Sequence, residues 1–298
     1  MCYTGHHANK QECPYCHEPR LNAAGQLRKI FTYIPLIPRL QALYGNREMA
    51  LKMRYRHARE GKNNVDAVED IFDSEQYKTL LEESVHIGET HYDRKYFDDS
   101  CEVALGLSTD GFAPFKRRSK TAWPIILINY NLPPDIHCHL EHILSLGVIP
   151  GPKKPHDFDS FIWPLLEELC LLATDRGVPT LDILDAALFP LRAHLIAAFG
   201  DIPAMSMLMK MKGHNGKRPC RFCMIEGLPI PRGRTHYVPL DRSSHPDVTT
   251  KPTKVKCYDP RNLPLRTHSD FLAHAAEADT QKTKTAADCV AKESGVKG

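Results

Sequence analysis

Two aspartates stand where carboxylates could hold divalent metal ions. Asp110 ends the run CEVALGLSTD, and Asp201 follows the apolar run LRAHLIAAFG and lies just before Pro203. Cleavage of a phosphodiester bond can use two divalent ions about 4 Å apart, held by hard carboxylate oxygens. The residues alone leave two alternatives open, because a turn aspartate before a glycine and an N-cap aspartate before a proline are both common.

A pair of cysteines near the start of the chain has the spacing of a zinc knuckle. Cys13 and Cys16 in ECPYC would place two thiolates on one tetrahedral Zn²⁺. Cys2 is the best third ligand. The remaining ligand would come from upstream of the chain or from one of three histidines, His6, His7 and His17. Two free thiols in a loop are the alternative.

A second pair, Cys220 and Cys223 in PCRFC, lies between GHNGKR and MIEGLP. His236 and His214 are the nearest histidines that could complete a zinc site. Four protein ligands leave no open position for chemistry, so this site is expected to be structural. A redox role for the pair would need a strand-to-helix setting, which the sequence around it lacks.

Basic residues follow both aspartates and could hold phosphates by charge. They are Lys116, Arg117, Arg118 and Lys120 after Asp110, and Lys210, Lys212, Lys217, Arg218 and Arg221 after Asp201. An ordinary solvated basic surface is the commoner meaning of such a run. Their position after both candidate metal ligands favours phosphate contacts.

Three histidines in HCHLEH, His137, His139 and His142, form another candidate metal cluster. Residues two apart on a strand share a face, so His137 and His139 could bind a catalytic zinc ion and make the protein a hydrolase of another class. A surface loop after the double proline is the simpler interpretation.

The bulk composition favours an intracellular globular protein. The 298 residues are 42% hydrophobic and 25% charged, which is enough to bury one large core or two smaller ones. No apolar run has the length of a membrane span, and the first residues have no apolar signal segment. Ten cysteines in a reducing compartment favour metal binding over disulfides. The net charge of +3 is too small to identify a partner by itself.

The elements that must position these residues can be read from the periodicity. Residues 30–87 have helical spacing and predict an all-helical lead-in. Residues 101–112, 123–134 and 142–155 read as three strands in succession, which predicts an antiparallel meander. A helix then starts at Asp159 and stops at Gly177, and the apolar run within residues 191–205 predicts a fourth strand.

Several segments, in this order, resemble the transposases of CACTA-type (En/Spm) DNA transposons. They are CPYCHEPR, FTYIPLIPRLQALYG, LGLSTDGFAPFKRRSKTAWPIILINYNLPP, LGVIPGPKKP, LRAHLIAAFGDIPAMSMLMKMKGHNGKRPCRFC and THYVPLDRS. The resemblance extends over essentially the whole chain. It implies a nuclear enzyme that cuts the ends of its element and joins the freed strand to target DNA with carboxylate-held Mg²⁺ or Mn²⁺.

The same resemblance assigns roles to residues. Asp110 and Asp201 match the first two members of the family's catalytic triad, and the third member is expected to be a glutamate farther along. No convincing match to that glutamate precedes Gly298, so the chain is expected to be a fragment. The alternative to an active transposase is a non-catalytic, zinc-containing DNA-binding remnant of a decayed transposon. Self-association into a homo-oligomer is a further expectation.

Together these observations predict an α/β fold with an RNase H-like mixed sheet, in which a three-strand meander is followed by a helix and a fourth strand. The expected segments are a zinc-knuckle segment at 1–28, a helical lead-in at 29–98, a partial catalytic core at 99–211, and a basic insertion with the second cysteine pair and a polar helical tail at 212–298.

Overall fold

The computed structural model describes residues 1–62, 67–114, 121–151, 154–230, 236–251 and 253–298. The chain forms two compact units, Met1–Gly200 and Asp201–Gly298. The sequence suggested a division near residue 211, whereas the units divide after residue 200. None of the helices in the described part combines the length and the apolar character that crossing a membrane requires.

The lead-in of the first unit is helical only in part. Its helices are α1 (Ile37–Tyr44), α2 (Arg47–Lys52), α3 (Tyr55–Arg59) and α4 (Glu75–Glu82). A hairpin of β1 (Ser84–Ile87) and β2 (Thr90–Lys95) follows, so the prediction of an all-helical lead-in is wrong for its last part. Gly88 takes a left-handed conformation, with φ of 58°, in the two-residue connection, where a glycine favours a tight hairpin turn.

The centre of the first unit is a mixed four-stranded sheet. Its strands are β3 (Val103–Thr109), β4 (Ala122–Asn129) and β5 (Leu144–Pro150), then, after helix α5 (Asp159–Ala173) and a hairpin of β6 (Val178–Asp182) and β7 (Ala187–Leu191), β8 (Ala193–Phe199). The order across the sheet is β5-β4-β3-β8. β4 is antiparallel to both β3 and β5, and β8 is parallel to β3. The predicted meander, helix and fourth strand are confirmed.

The β6–β7 hairpin was missed by the sequence analysis. Pro179 lies directly opposite Pro190 in this ladder. Proline cannot donate a ladder hydrogen bond and argues against a strand in the interior of a sheet. A separate two-stranded hairpin tolerates both prolines, because each strand has an unpaired edge.

Strand β3 is buried on both faces. Val103, Leu105 and Leu107 form the apolar face that the alternation predicted. On the face of small residues, Ala104 packs in a cluster with the aromatic rings of Phe72, Tyr77 and Phe97 from the lead-in and the segment after β2. The lead-in therefore covers the second face of the central strand. Small residues there leave the space that these rings fill.

Helix α5 also anchors the lead-in. α1 has no N-terminal cap of its own, but the Glu168 carboxylate accepts hydrogen bonds from the backbone N–H groups of Leu36 (2.8 Å) and Ile37 (2.9 Å). The Tyr33 hydroxyl donates to the same carboxylate. A carboxylate at a helix N-terminus satisfies free N–H groups and interacts favourably with the helix dipole.

A buried charged cluster lies at the start of β3. The Glu102 carboxylate is inaccessible to solvent and receives Arg94 Nη1 at 3.0 Å, Arg192 Nη1 at 3.4 Å, His194 Nε2 at 3.1 Å and the backbone N–H of Phe97 at 2.7 Å. Burial by itself would raise the pKa of Glu102, but His194 and Arg94 outweigh it and hold that pKa below its ordinary value. Burial lowers the pKa of His194. The cluster ties β2 to the strand pair β3–β8.

The second unit is built from short elements and two longer helices. These are α6 (Ile202–Leu208), β9 (Leu228–Pro229), β10 (His236–Tyr237), α7 (Pro246–Thr249), α8 (His268–Asp279) and α9 (Lys284–Ser294). Thr267 and Asp270 form a capping box at the start of α8, and Gly295 ends α9 with φ of 84°. The polar tail is helical, as its composition predicted.

Candidate metal sites

Asp110 is the residue directly after β3, and its side chain is exposed. One carboxylate oxygen accepts the backbone N–H of Gly111 at 2.6 Å. A Cβ atom on Gly111 would lie 2.5 Å from Cζ2 of Trp123. The turn after β3 therefore needs a glycine, because the indole of β4 lies against it. This short-range bond fits the turn interpretation of Asp110, and among the described residues it uses only one of the two carboxylate oxygens.

Asp201 opens the second unit as the N-cap of α6. Its Oδ1 accepts the backbone N–H of Ala204 at 2.7 Å, and Pro203 lies in the first turn. The capping role considered from the sequence is confirmed. As with Asp110, the side chain is exposed and only one oxygen is used for this bond.

The pairing of β3 with β8 places the two strand ends at the same edge of the sheet. Ser108 of β3 is paired with Phe199 of β8 in parallel register. Asp110 comes two residues after Ser108, and Asp201 comes two residues after Phe199. The sequence alone did not establish this parallel register of β3 and β8.

Gly106 of β3 lies where two aromatic rings approach the strand closely. A Cβ atom there would lie 2.6 Å from Cε2 of Tyr130 and 3.1 Å from Cε1 of Phe199. The space above Gly106 is therefore filled by aromatic rings of the protein itself.

Gly106→Ala should lower the free energy of unfolding of the first unit by about 1–3 kcal/mol, because the added methyl group overpacks a buried strand. Chemical denaturation of the purified protein measures the change. Gly45→Ala is the matched control, since the same methyl group there meets its nearest atoms at 3.5 Å, an ordinary contact. Equal effects of the two substitutions would contradict this account of Gly106.

The first cysteine pair forms a tight turn. The backbone N–H of His17 donates to the Cys13 carbonyl at 2.9 Å, and His17 takes a left-handed conformation with φ of 56°. Burial would raise the pKa of the Cys13 thiol, but the N–H groups of Tyr15 and Cys16 donate to the sulfur and lower that pKa. These bonds favour a thiolate at Cys13. His17 bonds to Glu12 at 3.0 Å.

One member of the second cysteine pair, Cys220, borders a cavity of about 330 Å³ within the second unit. His214 and His236 line the same cavity. The N–H of Phe222 donates to the Cys220 sulfur at 3.4 Å, and burial raises the pKa of Cys223. Cys220, His214 and His236 therefore lie around one cavity, but among the described residues they do not form a group of three ligand atoms within 4.8 Å of one another. Their zinc binding, like that of Cys2, Cys13 and Cys16, stays a prediction.

The second group of basic residues lies partly against α9. Lys212 Nζ bonds to Asp288 at 2.7 Å, and Lys217 forms an ion pair with Glu293. Arg218 donates to the Glu293 carbonyl at 3.0 Å, and the Arg221 guanidinium stacks on the exposed Phe222 ring. Lys210 lies in the turn after α6 with φ of 50°. The first group, Lys116, Arg117, Arg118 and Lys120, lies outside the described residues.

The histidines of HCHLEH lie in consecutive turns between β4 and β5, so the strand interpretation of His137 and His139 is wrong. His142 and Ile143 both donate backbone N–H bonds to the His139 carbonyl, which closes a turn. His137 packs edge-on against Tyr130, with ring centroids 5.4 Å apart. The surface-loop interpretation is confirmed.

One group of metal-binding side chains was missed. Within the described residues, His6, His7 and Asp157 are the set whose potential ligand atoms all lie within 4.8 Å of one another. Local spacing could not reveal it, because Asp157 is 150 residues from His7. The adjacent histidines were the available signal, but the nearby cysteines made them candidate ligands of the Cys13–Cys16 zinc site instead.

Comparison with known protein families gives one match. Residues 73–237, more than half of the chain, match the family described as Transposase family tnp2. A search of curated proteins finds no match. The matched range contains the whole central sheet with both aspartates, and also Cys220, Cys223 and His236. The chain belongs to the tnp2 family of transposases.

Proposed function

We propose that the chain carries the metal-binding part of an RNase H-like DNA transposase of the CACTA type, with Asp110 and Asp201 as ligands of the catalytic ions. The observation that carries the proposal is the parallel pairing of β3 with β8 in a sheet ordered β5-β4-β3-β8. Each of these two strands is followed within two residues by an exposed aspartate. Family membership supports DNA as the partner, and the ordered segments quoted above support the CACTA type.

The donor chemistry of the two aspartates suits Mg²⁺ or Mn²⁺. Both side chains offer hard oxygen ligands in exposed positions, and each is oriented by a backbone N–H group bound to one of its oxygens. When bound, such ions activate the attacking oxygen and stabilise the leaving oxygen. In this proposal the basic residues after each aspartate hold the DNA phosphates, and a glutamate supplies the third carboxylate. The cysteine pairs would bind structural Zn²⁺, and the protein would act in the nucleus.

Iron-directed cleavage of the polypeptide tests the metal ligands without requiring DNA cutting. Fe²⁺ bound in place of Mg²⁺ reduces added hydrogen peroxide to hydroxide and a hydroxyl radical, which cuts the backbone close to the ion, and added ascorbate returns the Fe³⁺ to Fe²⁺. We expect cuts near residues 110 and 201, suppressed by excess Mg²⁺, and lost in both Asp110→Asn and Asp201→Asn. Asparagine keeps the oxygen that accepts the N–H bond, so the turn and the N-cap survive the change.

Asp241→Asn is the matched control. Asp241 also holds a backbone N–H group, that of Ser243 at 3.0 Å, but follows no strand of the central sheet. Cuts that persist near residues 110 and 201 in both test variants would reject the assignment. The same chain binding transposon-end DNA would then favour the non-catalytic, zinc-containing DNA-binding function.

A further inference from the structure

The first residues of the chain pack against the start of α5. The backbone N–H of Cys2 donates to Ser160 Oγ at 2.8 Å, and the Thr4 hydroxyl donates to the Ser160 carbonyl. Gly5 lies so close to the Trp163 ring that a Cβ atom would be 2.6 Å from it. This docking brings the short 3₁₀ helix Gly5–His7 next to the residues that precede α5.

His6, His7 and Asp157 converge at this contact. His7 Nε2 lies 2.7 Å from Asp157 Oδ2, and the rings of His6 and His7 are 4.4 Å apart between centroids. One ligand atom from each of the three residues lies within 4.8 Å of the other two. Ligands on one tetrahedral ion, each about 2 Å from it, are separated by less than that distance.

The surroundings hold this arrangement in place. Asp157 Oδ1 accepts the backbone N–H of Ser160 at 3.1 Å, which orients the carboxylate and leaves Oδ2 towards His7. Metal-binding carboxylates commonly have their second oxygen fixed by such a bond. The rings of Trp163 and Tyr15 flank His6 and His7, with centroids at 6.0 Å and 6.4 Å.

The buried state of His7 supports a bound cation. The residue is 5% exposed, and its Nδ1 atom is buried without a hydrogen-bond partner among the described residues. An unsatisfied buried polar atom costs about 1–3 kcal/mol. A histidine–aspartate pair alone would satisfy only one nitrogen of the ring. A divalent ion bound between His6, His7 and Asp157 would accept an electron pair from each of these three side chains.

We propose that His6, His7 and Asp157 form a binding site for a divalent ion of the zinc class, separate from the cysteine pairs and from the Asp110–Asp201 site. Two imidazole nitrogens and one carboxylate oxygen are a ligand set that Zn²⁺ accepts, with a further position for water. The ion joins the first turn of the chain to the residue that leads into α5. Its role is to fix the N-terminal segment, including the Cys13–Cys16 turn, on the first unit.

Zinc content of the purified full chain tests the proposal, measured by mass spectrometry after dialysis against buffered Zn²⁺. Asp157→Asn and His6→Gln should each lower the content by about one equivalent. His6 is exposed, and its side chain forms no hydrogen bond among the described residues, so His6→Gln is expected to fold normally, and circular dichroism verifies this. His57→Gln, an exposed histidine paired with Glu60, is the matched control and should leave the content unchanged.

The same measurement on Cys13→Ser/Cys16→Ser decides whether the site is separate. The loss caused by Asp157→Asn should add to any loss caused by the cysteine substitutions, and Co²⁺ bound in the cysteine variant should lack thiolate charge-transfer absorption from this site. Unchanged zinc in both Asp157→Asn and His6→Gln would overturn the proposal, as would a loss that is not additive. Asp110→Asn should leave this zinc in place, so failure of the catalytic assignment and failure of this one are distinguishable.

Discussion

Replacing Glu102 by glutamine should lower the free energy of unfolding of the first unit by about 3 kcal/mol or more. The substitution removes the negative charge that Arg94 and Arg192 share inside the protein. It leaves the mostly buried Arg192 guanidinium without this counter-ion and Arg94 with only the exposed Asp175 carboxylate. Breaking a buried pair on one side is costly because the remaining charge stays out of water. Urea denaturation followed by circular dichroism measures the loss.

Glu82→Gln is the matched control for this substitution. Glu82, at the end of α4, pairs with Lys95 of β2 at 2.7 Å, but its side chain is 79% exposed. An exposed pair is screened by solvent, so its removal should leave the stability nearly unchanged. Similar losses for both variants would contradict the interpretation of Glu102 as a buried anchor.

Acidification should act in the same direction as the Glu102 substitution. The pKa values of His194 and Glu102 are both lowered in the folded protein. The unfolded chain therefore takes up these protons first, near pH 6.5 for histidine and about 4.3 for glutamate. The stability that these two groups contribute above their unfolded-state pKa values is lost as the pH falls through their lower folded-state pKa values. Urea denaturation of the unchanged protein at a series of pH values between 7 and about 4 measures this loss, and a stability that stays constant over that range would contradict it.

Asp110→Asn and Asp201→Asn should each reduce Mg²⁺-dependent cutting of transposon-end DNA by more than about 100-fold. Loss of a residue that merely supports a metal ligand already costs about 10–100-fold, so loss of a ligand should cost more. Cutting is measured on end-labelled DNA with Mg²⁺ or Mn²⁺, in a protein that includes the third carboxylate. Stability should change little, because asparagine retains both local hydrogen bonds.

Asp241→Asn should cut as well as the unchanged protein and serves as the control for the loss of one carboxylate. Cutting that survives in Asp110→Asn would remove this residue from the metal site even if the fold is RNase H-like. A combination of unchanged DNA binding and lost cutting in both variants would fit two ligands that act on the chemistry and not on recognition.

Local sequence signals were reliable where one residue decides a local structure. Asp201 before Pro203 predicted an N-cap, and the structure has it. The alternation around Leu105 predicted β3. The predicted second strand was too long, because β4 ends at Asn129, before the double proline that was expected to end it. The β1–β2 hairpin was missed because the helical pattern before it was extended too far. The β6–β7 hairpin was missed, and the proline in each of its strands is untypical of a strand.

By itself, the sequence determined which residues have metal-binding chemistry and which family the chain resembles. It also determined the order along the chain of the strands and the helix that belong to the central region. These follow from side-chain type and from periods of two and 3.6 residues, which act over short distances along the chain. The tertiary structure decided that β8 lies parallel beside β3, that rings of Tyr130 and Phe199 fill the space at Gly106, and that Asp157 meets His7. Those contacts join residues far apart in the chain. Their selection depends on how whole faces pack, and no local pattern contains that information.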